Sequence, residues 1–194
     1  YKNKITPEKN VVTYALFVSY FPLLVAGPIE RATHLLPQIK KKRYFNYSMA
    51  VDGLRQIVWG LFKKIVIADQ CAIFVDYAFS DFHIYNGSTL YIGMILFLIQ
   101  LYCDFSGYSD IAMGVSKLFG IDLLRNFAFP FFSRNCSEFW RRWHISLNTW
   151  FIDYVFIPLE GSKKGSFKKY RNIVLVFLIS GLWHGANWTF IVWG

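Results

Sequence analysis

The stretch IVLVFLISGLWHGANWTFIVWG, residues 173–194, carries no formal charge unless His184 is protonated. About 20 consecutive apolar residues are what an α-helix needs to cross a bilayer core of about 30 Å. Residues 11–29, VVTYALFVSYFPLLVAGPI, are also uncharged and predict a spanning helix bent near Pro22. A secretory signal is the rival there, because Lys2, Lys4 and Lys9 precede the run; the run instead continues into AGPIER without a small-residue cleavage site. Residues 89–118 open as a clean span, TLYIGMILFLIQLYC, and turn polar at DFSGYSD. Residues 53–79 are apolar but interrupted by Arg55, Lys63, Lys64 and Asp69. They predict a helix packed inside a bundle or partly in the interface, not one bathed in lipid.

Composition agrees. The 194 residues are 55% hydrophobic, 20% aromatic and only 17% charged, against about 45–50% apolar and about 25% charged in ordinary soluble domains. A disordered or collagen-like chain is excluded. The net charge of +9 raises nucleic acid as a partner, but the cations do not line one face of a polar domain. They gather in short loops, Arg31 with Lys40–Arg43, and Lys163, Lys164, Lys168, Lys169 and Arg171. That is the pattern of cytoplasmic loops in a membrane protein, so a lipid bilayer is the expected partner and nucleic acid is not. Cys71, Cys103 and Cys136 are odd in number and scattered; they read as small hydrophobes, with neither a disulfide framework nor a metal site indicated. A chain that starts at Tyr1 and stops at Gly194 within an apolar run is expected to be part of a longer polypeptide.

If both basic loops are cytoplasmic, an even number of crossings separates them, and 53–79 and 89–118 supply two. Residues 137–158, SEFWRRWHISLNTWFIDYVFIP, are then interfacial or re-entrant, because Arg141 and Arg142 oppose exposure to lipid. The expected fold is all-α, multi-pass and transmembrane, with no repeat and no soluble second domain.

His184 is the most informative residue. It lies 13 positions beyond Arg171, about 20 Å along a helix, and an ionisable group at such depth marks a candidate functional site. A continuous helix would stack Ser180, His184 and Asn187 on one face, and Gly181 with Gly185 would admit a close backbone neighbour. The alternative is a packing helix whose histidine merely bonds a neighbour. His144 sits in FWRRWHISLNTW, where Asn135 is placed to cap a helix and Glu138 to pair with Arg142. Interfacial aromatics explain this stretch equally well. Arg141 and Arg142 suit lipid headgroups or an anionic substrate. Asp104 and Asp110 are read as proton relays or as caps of a broken helix. His34 and His83 have no evident partner.

AGPIER, GLFKKIVIAD, YCDFSGYSDIAMG, NFAFPFF, EFWRRWHISLNTWFIDYVFIPL and GLWHGANWTFIVWG follow in an order that resembles the membrane-bound O-acyltransferase family. The nearest branch is the alginate O-acetyltransferase type of bacterial polysaccharide acetylases. The resemblance runs from Ala26 to Gly194. The chain departs from the pattern at Ile157–Gly161, IPLEG where IPLGG is expected, and at Cys103 in place of an aromatic.

The resemblance implies one acyltransferase domain over 1–194, with helices around a central tunnel in a bacterial plasma (inner) membrane. It implies transfer of an acyl group, most simply acetyl, from a cytoplasmic thioester (acetyl-CoA or an acyl-carrier type) toward hydroxyls of an extracytoplasmic polysaccharide. No bound cofactor or metal is required, and an extracytoplasmic partner protein of polysaccharide acetylation is expected. In the family the histidine of the WHG motif, here His184, is the presumed catalytic residue, and that of RWH, here His144, is a second functional position. Arg141, Arg142, Ser180 and Asn187 remain candidate substrate-binding residues. The rivals are D-alanyl transfer toward teichoic acid, which shares both motifs, and a proton-coupled transporter or flippase.

The topology is testable. Single cysteines at Lys41 and Lys168, in a background without the native three, are expected to resist an impermeant thiol reagent in intact cells and to label after permeabilisation. Labelling of one alone from outside breaks the even-crossing scheme.

Overall fold

The computed structural model describes residues 7–159, 161 and 165–194; Lys2, Lys4, Glu160, Lys163 and Lys164, named above, lie outside them. Every regular element among the described residues is helical. The chain forms two compact units, Tyr1–Ala128 and Phe129–Gly194.

In the first unit α1 (Val11–Val18) and α2 (Ala32–Lys40) precede a long antiparallel pair. Asn46 caps α3 (Tyr47–Leu61) by accepting the Met49 N–H at 3.0 Å. That helix runs through a wider π segment, Phe62–Ala68, into α4 (Asp69–Ser80), and all three pack along α5 (Gly87–Leu118). The 32 residues of α5 span about 48 Å, and among the described residues this is the one helix long and apolar enough to cross a membrane.

In lipid, apolar side chains do little to pull helices together; close backbone approach and buried polar contacts do. Gly53 lies against Gly114 and Gly60 against Gly107, seven residues on in each helix. A Cβ on Gly60 would stand 2.6 Å from the Gly107 carbonyl oxygen, and one on Gly107 2.8 Å from that of Gly60. Around these contacts Lys63 Nζ donates to Asp110 at 2.5 Å and to Ser106 Oγ at 2.9 Å, while Gln56 donates to Asp110 at 2.9 Å. Lys64 bridges Asp69 at 2.7 Å and Asp104 at 2.6 Å. Successive side chains of an α-helix diverge by about 100°, and it is the π segment that carries both lysines to α5. Of the charges that interrupt residues 53–79, Lys63 and Lys64 therefore have partners on the neighbouring helix, as a packed bundle helix requires, and Asp69 pairs with Lys64.

Four expectations are corrected. Asp104 and Asp110 do not cap a broken helix: α5 is continuous through both, and each binds a lysine. Residues 11–29 do not form one spanning helix. The ladder stops at Val18, where the Ser19 hydroxyl donates to the Ala15 carbonyl at 2.7 Å, and a tight turn through Pro22 follows because proline has no N–H to continue it. His34 does have a partner: its Nδ1 lies 2.8 Å from Glu30 Oε2, while Glu30 Oε1 accepts the Leu124 N–H at 2.6 Å. Gln38 binds Asp122 through that residue's N–H and carbonyl, both at 2.9 Å, so α2 and its lead-in are laced to residues 122–124. Leu35 packs beneath with Ile121 and Leu123. Of the cysteines Cys103 is buried, Cys71 half-buried and Cys136 exposed, so the reading as buried hydrophobes fails for Cys136.

In the second unit, α6 (Cys136–Arg142) and α7 (Ile145–Phe151) are each too short to cross a bilayer, and a π turn (Ile152–Phe156) follows α7. α8 (Ser166–His184) and α9 (Trp188–Trp193) close the chain. Buried Asn172 ties the approach to α8 in place, donating to the carbonyls of Leu159 at 2.8 Å and Gly161 at 3.1 Å.

Gly60→Val is expected to lower the unfolding free energy in detergent by about 1–3 kcal/mol, the usual cost of overpacking a tight contact. Gly87→Ala, where nothing lies within 4 Å of the added Cβ, is the control and should leave the thermal transition nearly unchanged.

Candidate functional site

The helix that carries His184 ends on it. α8 runs without a break from Ser166, so the rise from Arg171 to His184 is that of a regular helix, and Gly185 then takes an extended conformation (φ 170°). Asn187, three residues on, is not stacked on the His184 face as a continuous helix would have it. Its side chain caps α9, accepting the Thr189 N–H at 3.2 Å. Ser180 remains on α8, one turn before His184 and half-buried.

The two glycines around His184 let α9 fold back on α8. A Cβ on Gly181 would collide with the Phe190 carbonyl, and one on Gly185 would stand 2.5 Å from the Phe190 ring. The close neighbour expected from the GxxxG spacing is thus the next helix of the same chain. Its return puts Trp193 beside His184, with ring centroids 4.9 Å apart and planes at 78°. Trp183 flanks the same imidazole at 4.9 Å and 80°. His184 is exposed, and its ring meets each of two exposed indoles edge to face.

His144 also neighbours Trp183, with ring centroids 6.5 Å apart. It is half-buried and close enough to His184 for a charge on one imidazole to act on the other. Its backbone is left-handed, φ 41° and ψ 55°, and Phe129 is the other non-glycine residue of that kind among the described residues. Such a backbone costs on the order of 1–3 kcal/mol and persists only where its surroundings impose it. Here the imposition comes from both sides. The Asn148 N–H donates to the His144 carbonyl at 2.9 Å to start α7, and the Asn148 side chain donates to the Trp140 carbonyl at 2.6 Å. Trp143 stacks on Phe139 at 5.6 Å, and Trp140 meets Phe177 of α8 at 5.2 Å.

α6 begins as its sequence predicts. Asn135 accepts the Glu138 N–H at 2.8 Å, and Glu138 pairs with Arg142 at 2.5 Å. The second Glu138 oxygen binds the backbone N–H and Nε of Arg134, both at 3.0 Å. Those bonds to Arg134, with Arg142 nearby, pull the Glu138 carboxyl down to about 2, so the pair stays ionised at physiological pH. Arg142 also donates to the Phe129 carbonyl at 3.5 Å, which leaves its guanidinium engaged. Arg141 is exposed and bound only within its own turn, to Ser137.

In the second unit His184 and His144 share Trp183 as a neighbour and Ser180 lies one turn before His184, whereas Arg141 is bound to Ser137, Arg142 to Glu138 and the Phe129 carbonyl, and Asn187 serves as a cap. Trp183 and Trp193 were not anticipated. Glycine after a histidine, followed two residues later by an asparagine, is the stop-and-start signal that would have placed the helix end at His184 and folded Trp193 back.

The profile of the membrane-bound O-acyltransferase family matches residues 8–194. The chain is 46% identical to "Peptidoglycan O-acetyltransferase" of Helicobacter pylori, over 95% of its own length and 36% of that protein's. It is 41% identical to "Probable alginate O-acetylase AlgI" of Pseudomonas putida, over its full length and 40% of the relative. "Teichoic acid D-alanyltransferase" of Bacillus subtilis is 32% identical over 92% of the chain and 47% of its own length. The chain thus spans between about a third and a half of these relatives. With the chain matched almost end to end, it belongs to the membrane-bound O-acyltransferase family.

Proposed function

We propose that residues 1–194 lie in one acyltransferase domain of a multi-pass enzyme of the bacterial plasma membrane, its helices arranged around a tunnel. The enzyme moves an acyl group, acetyl in the first instance, from a cytoplasmic thioester to hydroxyls of an extracytoplasmic polysaccharide. The donor is acetyl-CoA or an acyl-carrier thioester, and a partner protein outside the membrane completes delivery to the polymer. The observation that carries this reading is the imidazole of His184 at the end of α8, edge to face with two indoles, one of which also neighbours His144. The names of the more similar relatives, both O-acetyl-transferring, support acetyl over D-alanyl.

In the proposed step the acceptor oxygen attacks the thioester carbonyl carbon while a ring nitrogen of His184 takes the hydroxyl proton. The C–S bond then breaks, and the leaving thiolate recovers that proton from the imidazolium. General-base help of this kind is worth about 10²–10⁴ in rate. The ring sits at the C-terminal end of α8, where unpaired carbonyls carry partial negative charge that favours the positive charge acquired in the step. His144, fixed by its left-handed backbone, orients the acceptor or the thioester carbonyl. Arg141 is the cation available to an anionic part of the donor.

Substitution separates base from packing. His184→Ala is expected to abolish most transfer while the protein still inserts and accumulates, and His184→Gln to restore stability without activity, because its amide has no basic nitrogen. Near-normal acylation by His184→Gln at equal expression overturns the assignment. His144→Ala should lose much activity but retain more than His184→Ala. Deletion of the whole gene should remove ester-linked acetyl from a surface or secreted polysaccharide while the polymer is still made; loss of wall D-alanine instead would favour the teichoic acid reading.

A further inference from the structure

Between α2 and α3 the chain reads KKKRYFNY, residues 40–47. Two of its four cations are engaged. Lys40 pairs with Glu8, and the Arg43 guanidinium donates to the carbonyls of Gln38 at 2.9 Å and Ile39 at 3.0 Å. Arg43 thereby satisfies the C-terminal end of α2 and fixes the segment against it. Lys41 and Lys42 have no acidic partner among the described residues, and Lys42 Nζ lies 5.4 Å from the ring of Tyr44. The neighbouring aromatics are open to the surroundings: Tyr44 is 75% exposed, Phe45 80% and Tyr47 76%. Three adjoining rings on a water-facing surface would be a costly patch, whereas at the headgroup level of a bilayer aromatic residues are favoured.

We propose that Lys41, Lys42, Tyr44 and Phe45 form a binding site for the headgroup of an anionic phospholipid. The phosphate lies between the two ammonium groups, each able to donate up to three hydrogen bonds, and the rings enter the upper acyl region beside it. The positive end of α3, which starts at Tyr47, adds to the potential. A lipid is the occupant because the same unit carries the long apolar helix α5, so bilayer is at hand, and because the site pairs unpaired cations with bare rings. An acidic protein surface would complement the lysines and leave the rings in water.

Selectivity is read with the full-length protein in phosphatidylcholine vesicles, by competition between spin-labelled phosphatidylglycerol and spin-labelled phosphatidylcholine. Wild type is expected to favour phosphatidylglycerol, with the preference shrinking as salt is raised. Each of Lys41→Gln and Lys42→Gln should reduce it by about fivefold at low salt, and the double Lys→Arg variant should keep it. Depth is read from a nitroxide at Phe45→Cys in a background without the native cysteines; it should collide with oxygen more readily than with a water-soluble nickel chelate. Equal affinity for the two lipids in wild type, or loss of preference with the Lys→Arg pair, overturns the proposal. So does a Phe45 label open to nickel, which means a bare aqueous surface, or closed to both relaxants, which means that protein covers the site.

Discussion

The contact between Gly60 and Gly107 sets the terms for the first unit. Apolar side chains there gain nothing from one another that lipid would not also give, so helices are held by what lipid cannot supply. Two glycine pairs, one turn-pair apart on each helix, let α3 and α5 approach until backbone meets backbone. Such proximity also makes the Lys63–Asp110 and Lys64–Asp104 bridges reachable, so these four charges are paired where the helices meet. Removing one partner of the Lys63–Asp110 bridge is expected to be worse than removing both, since an uncompensated buried charge remains.

The second unit applies the same economy of space to chemistry. Gly181 and Gly185 admit α9, and α9 delivers Trp193 to the imidazole that ends α8. The left-handed turn at His144 costs backbone energy that aromatic packing and the bonds of Asn148 offset. One histidine is held in a strained backbone, and the other ends its helix edge to face with two indoles. That is the ground on which both are proposed to act.

Much of this was legible before any coordinates. The helical class, the packed character of residues 53–79, the Asn135 cap and the Glu138–Arg142 pair follow from hydropathy, interrupted charge and i,i+4 spacing. Membership in the family was carried by long ordered motifs such as GLWHGANW. What stayed hidden depends on long-range contact or on local breaks inside apolar runs. Hydropathy does not register a helix end, so 11–29 and 173–194 read as single spans although their helices stop at Val18 and His184. Periodicity is silent on which lysine meets which aspartate when the residues lie some 40 positions apart, and it is equally silent on the Glu30–His34 contact with Leu124. Asn187 was grouped with His184 by assuming a helix that the intervening glycine ends.

The central claim is that this family member transfers an acyl group across the bilayer and does not move a solute. The most direct measurement supplies a labelled acetyl thioester to one face of vesicles containing the full-length protein, with a hydroxylated acceptor at the other, and follows label and solute together. The account predicts alkali-labile ester on the acceptor only when the thioester is on the face that bears Lys41 and Lys168, with no accompanying solute flux. Flux of free solute without ester formation would contradict it.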